Sequence, residues 1–165
     1  MPPILLKTSK LARSYPCRAF YDSGGDSLSV GVKQKGKFGA CLEGDEFSFD
    51  LTKDGKLLNI DVWKPRQDWK IEKAIHPPEH FDKDDVAFVG ARLTAEPISY
   101  NTDAKKTLLY IRFAAERIAR FVSPANSLIF ELNAKHELVG LWILQIEDDV
   151  NFIKEGEWRR SVKAV

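Results

Sequence analysis

The sequence predicts a mainly β fold, two pseudo-symmetric antiparallel meanders forming one barrel-like or sandwich core, with a short helix in the connector between them. The first observation behind this is a repeat: residues 22–62 and 103–143 carry the same apolar pattern, without a gap, 81 positions apart. Leu28, Val30 and Val32 meet Leu109, Ile111 and Phe113, and Phe47, Phe49 and Leu51 meet Leu128, Phe130 and Leu132. Leu57, Leu58, Ile60 and Val62 meet Leu138, Val139, Leu141 and Ile143. In a chain that is 44% hydrophobic, so many matched pairs in succession arise by chance about a few times in ten thousand. The second observation is the period: within each copy apolar and polar residues alternate, as in a strand with one buried face.

Taken in order, Pro16 and Pro97 lie 81 apart and mark matching chain entries. Leu28, Val30 and Val32 alternate with Ser27, Ser29 and Gly31, which gives the first strand of copy 1. After the turn Lys33 to Gly36, Lys37 to Leu42 supplies a short second strand. Phe47, Phe49 and Leu51 alternate with Ser48, Asp50 and Thr52, and Asp54-Gly55 turns the chain tightly into the strand Leu57 to Trp63. Residues 64–85 contain Pro65, Pro77 and Pro78 among charges and read as an exposed connector with one helical turn. Val86 to Val89 resumes the strand pattern. Ala104 to Phe121 fits two periods, because Leu108, Ile111, Ala115, Ile118 and Ala119 also recur at helical spacing; the register with copy 1 assigns Leu109 to Phe113 to a strand. The division is thus residues 1–81, the first meander with its connector, and 82–165, the second, packed as one compact unit.

A chain of 165 residues is long enough to bury roughly 70% of the surface its unfolded form exposes. Cys17 and Cys41 have no metal or redox spacing and read as reduced thiols of a cytoplasmic protein. The N-terminus, Met1 to Lys7, is too short in apolar residues for a signal, and no stretch approaches the ~20 residues of a membrane span. With 25 basic against 24 acidic residues, the overall field steers toward neither nucleic acid nor anionic lipid. The basic end, Arg159, Arg160 and Lys163 beside Trp158, reads as a solvated tail.

His76-Pro77-Pro78-Glu79-His80 matches the H-x-x-E-H string of a zinc site, which requires both imidazoles on one helix face. Each interior proline costs a helix roughly 3 kcal/mol, so His76 and His80 read as a solvated loop and no metal or other cofactor is expected. Asp22, Asp26, Asp45, Glu46 and Asp50 lack calcium-loop spacing and suit turns and an outward strand face. No nucleophile elbow or phosphate-cradling loop is present. Trp63, Trp69, Trp142 and Trp158 read as core or interface before a stacking platform. Where copy 1 has Asn59, Asp61 and Trp63, copy 2 has Gly140, Trp142 and Leu144, so that strand is apolar on both faces and needs a cover, from the other copy or from a second subunit. Gly140, Trp142 and Leu144 are therefore the candidate interaction residues.

The run Tyr21-Asp22-Ser23-Gly24-Gly25-Asp26-Ser27-Leu28-Ser29-Val30 resembles the opening Y-D-x-x-x-D-x-L-x-(V/I) of a family of short, uncharacterised bacterial domains. Phe49-Asp50-Leu51 and Asp54-Gly55-Lys56-Leu57-Leu58-Asn59-Ile60 resemble the later parts of that family's pattern. Copy 2 keeps Asp103 and Glu131 but has Thr102, Thr107, Lys135 and His136 at the tyrosine, second aspartate and turn positions. The resemblance implies a small antiparallel sheet with no assigned activity and, from members encoded beside toxin-like proteins, partner binding. The function expected is a non-enzymatic protein-interaction or self-association module of a bacterial cytosolic protein, binding a protein partner or forming a homo-oligomer, with no nucleic acid and no membrane. The alternative is a small-molecule or ion-binding protein, or a hydrolase, with a pocket at the junction of the copies near Trp69 and His76 to His80.

Overall fold

The computed structural model describes residues 4–89 and 97–163, so Met1, Pro2 and Pro3 of the N-terminal stretch lie outside the described residues. The strands are β1 (Leu5–Lys10), β2 (Cys17–Asp22), β3 (Ser27–Val32), β4 (Phe38–Glu43), β5 (Phe47–Thr52), β6 (Leu57–Val62) and β7 (Lys70–Ile71). They continue with β8 (Asp84–Val89), β9 (Ser99–Thr102), β10 (Leu109–Arg112), β11 (Arg120–Val122), β12 (Leu128–Leu132), β13 (Leu138–Ile143) and β14 (Ile146–Asp149). A 3-10 turn at Arg66–Asp68 sits in the connector, and one helix, α1 (Ile153–Lys163), comes after β14. The ambiguous stretch 104–121 contains β10 and no helix.

Two six-stranded sheets, ordered β14-β2-β3-β6-β5-β4 and β11-β12-β13-β10-β9-β7, accompany a two-stranded ribbon, β1-β8. Both sheets face one apolar cluster, to which the first gives Leu28, Val30, Phe47, Phe49 and Ile60 and the second Leu109, Ile111, Leu128, Phe130 and Leu141. Phe113 joins them, 5.5 Å from the Phe47 ring, and so does Phe88 of the ribbon, 5.2 Å from Phe49 and 6.2 Å from Phe130. This is a sandwich-like core. The sheets keep their edges, so the barrel-like alternative is corrected: among the described residues there is no closed barrel.

The meander order is corrected as well. In β3-β6-β5-β4 the chain leaves β3 and returns at the far edge of the sheet, which is a Greek key, and β10-β13-β12-β11 repeats it. The loop Lys33 to Lys37 makes this crossing; three strand spacings are about 14 Å, within the about 17 Å that five extended residues span. A second feature is reciprocal. β7, at the end of the first set of strands, pairs in parallel with β9 of the second set, and β14 pairs in parallel with β2 of the first. Register shifts fall at Asp50/Leu51 and at Glu131/Leu132, the same place in the two patterns.

Each exchanged strand leads into a segment that covers a sheet. After β14, α1 lies over the outer face of the first sheet, where Trp158 packs against Gly31 and Arg159 bonds Ser29 Oγ at 3.2 Å and Asn59 Oδ1 at 3.0 Å. The basic end read as a solvated tail is therefore a docked helix, although Lys163's side chain lies outside the described residues. Asp149 initiates it by accepting from the N–H groups of Val150, Lys154 and Glu155. Burial would raise that carboxyl's pKa, but these donors outweigh it and hold it below the ordinary value. After β7 the connector must pass from one edge of the second sheet to the other, where Asp82 bridges Val122. Residues 72–81 reach about 33 Å, enough for the five strand spacings of about 24 Å.

Candidate functional site

The outer row of the second sheet is Asn101, Tyr110, Trp142 and Ile129, each opposite the next. Glu72, at the start of the connector, accepts a hydrogen bond from Asn101 Nδ2 at 2.7 Å, and Pro78 shares a shallow cavity with Ile129 and Leu144 at the far end. The connector thus straps this row. Prolines suit the task, since a chain lying across a sheet face finds no ladder partner for its N–H groups. Beneath it, Trp142 stacks on Tyr110 at 4.4 Å and donates from Nε1 to Glu131 Oε2 at 2.9 Å, while the Tyr110 hydroxyl donates to Glu131 Oε1. Burial and this carboxylate push the Tyr110 pKa up. Gly140 permits the stack, because a Cβ there would lie 2.7 Å from the Tyr110 ring. Trp142 is only 5% exposed within the single chain, Gly140 is buried and Leu144 half-buried.

The other candidates separate. His76 and His80 are exposed on the strap, and among the described residues no group of three or more His, Cys, Asp or Glu side chains could hold a metal ion. Trp69 is buried edge-on against Tyr21 at 5.6 Å and donates to the Lys64 carbonyl at 3.0 Å. Trp63 is exposed, so the four tryptophans form no platform. Asp22 accepts from the N–H of Gly25 at 2.7 Å and of Phe152 at 3.2 Å, and Tyr21 donates to Asp26 at 3.1 Å, which ties the first hairpin to the start of α1. Cys17 is buried, which pushes its pKa to about 12; burial and the nearby Asp50 and Glu43 push Cys41 to about 11. Neither thiol is activated. No helix is long and apolar enough to cross a membrane among the described residues.

The site that the sequence reading missed lies where the Greek-key loop crosses the end of the first sheet. Lys33, Gln34, Lys35, Gly36 and Lys37 face the β5–β6 hairpin, Thr52 to Lys56, across a cleft of about 1100 Å³ that Tyr15 and Pro16 also line. Gly36 has φ +146, and a Cβ on it would meet the Thr52 methyl at 2.6 Å, so glycine seats the loop on the hairpin. Gln34 Nε2 donates to the Leu57 carbonyl at 2.7 Å and pins it. Lys56 pairs with Asp85, which is buried and accepts from Tyr15 OH at 3.1 Å. Among the described residues Lys33, Lys35, Lys37 and Lys53 have no ion-pair partner, and Asp54 is the one acid on the lining. The cleft is therefore cationic in a protein whose formal net charge is +1.

The lysines of the cleft can hold anionic groups. Burial and Asp85 raise the Tyr15 pKa, and the bond to Asp85 raises that of Lys56, so neither a phenolate base nor a neutral amine is available near pH 7. Beside the cleft runs β4, an edge strand paired on one side only, to β5, among the described residues. Its first residue, Phe38, is 63% exposed. Alternating lysines at positions 33, 35 and 37 were visible in the sequence. Their union with Lys53 and Lys56 required the crossing of the loop, which a meander would not make. No protein-family model matches the chain, and no curated protein does.

Proposed function

We propose that this protein is a non-enzymatic interaction module that takes an extended acidic segment of a partner by strand addition at β4, with the segment's carboxylates in the lysine cleft. The observation that carries this reading is the adjacency of an edge strand, which offers unpaired backbone donors and acceptors, to Lys33, Lys35, Lys37 and Lys53, which have no ion-pair partner among the described residues. Main-chain bonds supply affinity in such a mode, and the flanking charge selects the partner. Two diverged copies of one unit supply the scaffold, and the module works in the cytoplasm, where two unpaired thiols persist.

The test uses a fluorescein-labelled peptide of alternating glutamate and valine. Its polarisation should rise on titration with the protein, and Lys35→Glu with Lys37→Glu should weaken binding at least tenfold. Backbone amides of Ala40 to Glu43 should shift in heteronuclear NMR spectra. Binding of inorganic tripolyphosphate, with the same lysine dependence and without binding of the peptide, would overturn the reading in favour of a small anionic ligand. Binding of neither probe would overturn it outright.

A further inference from the structure

We infer that the strand added at β4 is β4 of a second copy of this chain, in an antiparallel, two-fold arrangement that joins two six-stranded sheets. The inference rests on the strand-addition reading and names its partner.

Charge is separated along this one edge. Lys33, Lys35 and Lys37 lead into β4, and Glu43, Asp45 and Glu46 end it and form the turn to β5. Lys35, Lys37, Glu43 and Asp45 are exposed. From Lys37 to Glu43 an extended chain runs about 20 Å, well beyond the screening length of about 8 Å at physiological salt. The two ends therefore do not neutralise each other within a protomer. Antiparallel pairing of β4 with itself brings each lysine end against the partner's acidic end, twice by symmetry, whereas parallel pairing sets lysine against lysine. The edge is self-complementary in one orientation only.

The remaining features agree. Phe38 stands exposed at the seam, and Cys41 is half-buried in mid-strand, so the edge is apolar between its charged ends. The register shift between Phe38 and Ala40 interrupts the ladder, leaving Ala40 to Glu43 as the regular stretch. So short a ladder makes the association weak and dependent on its charges. Glu46 is half-buried and leans on Lys64 at 3.5 Å. Glu43 and Asp45 are exposed, and a test changes these two acids.

Sedimentation velocity on the full chain decides the matter. The wild-type protein should show a monomer–dimer equilibrium, weakened at least tenfold by half-molar salt. Lys35→Glu with Lys37→Glu, and separately Glu43→Lys with Asp45→Lys, should each give a monomer with an unchanged far-UV circular dichroism spectrum. An equimolar mixture of the two variants should dimerise again, and deuterium exchange should show protection of Ala40 to Glu43 in that mixture. A wild-type protein that stays monomeric up to hundreds of micromolar, or variants that fail to restore each other, would overturn the inference. If that monomer still binds the glutamate–valine peptide, strand addition stands and only the partner is wrong; if it binds no peptide, both readings fall.

Discussion

Replacing Gly140 by alanine adds one methyl group at the most crowded point of the strapped face. A Cβ there would sit 2.7 Å from the Tyr110 ring and also overlap the Glu131 carboxylate. Recovering ordinary contact displaces the ring by roughly 0.7 Å. That motion breaks the hydroxyl-to-carboxylate bond, worth about 1.5–3 kcal/mol, and loosens the stack on Trp142, worth about 0.5–1 kcal/mol. Alanine recovers about 0.5–1 kcal/mol of backbone entropy relative to glycine in a strand, so the net loss should be about 1–3.5 kcal/mol. Urea denaturation of Gly140→Ala measures it, and the same substitution in a Tyr110→Ala background separates crowding from any intrinsic effect of the alanine. With the ring and its hydroxyl gone, the end of the Glu131 side chain has room to swing off the added methyl, which should then cost less than about 1 kcal/mol. Equal costs in the two backgrounds would show that Tyr110 is not what the glycine accommodates, and the account of the strapped face would fail.

Phe49→Ala and Phe130→Ala should each cost about 3–5 kcal/mol in the same assay, since both rings are fully buried at equivalent places in the two sheets; a loss under about 1 kcal/mol at either would refute its place in the core. Burial holds the Asp61 carboxyl above its ordinary pKa, so its ionised form opposes folding at neutral pH. Asp61→Asn should therefore raise the urea midpoint at pH 7, with the gain fading as the pH falls through the raised folded pKa and gone below about 4, where the carboxyl is protonated in folded and unfolded chains alike.

Period-two alternation was enough to locate β3, β5 and β6, because each has one face in the shared core and the pattern records that face directly, and the 81-residue repeat carried the assignment to β10, β12 and β13. Strand order was not legible. The loop Lys33 to Lys37 is equally long for a neighbour or for a crossing, and what decides is the pairing of β3 with β6, a contact between residues some thirty positions apart. The cleft was hidden for the same reason. α1 escaped notice because only Ile153, Trp158 and Val162 are strongly apolar within it, and its cap, Asp149, belongs to the preceding strand. The need for a cover over Trp142 could be read from the sequence, but its source could not, since the aperiodic strap leaves no pattern to align.

The reciprocal strands also govern how the chain can be made. β2 emerges well before its parallel neighbour β14, which ends only at Asp149, and β9 takes β7 from a segment translated before it. The first sheet therefore waits on the ribosome, its β2 edge uncovered, until β14 (Ile146–Asp149) has followed it out, and pairing at that sequence distance is slow. Neither half can finish alone. Folding should consequently end in one late, concerted step, with the nascent β2 edge the point at which a holding chaperone, or a wrong strand, has its opportunity.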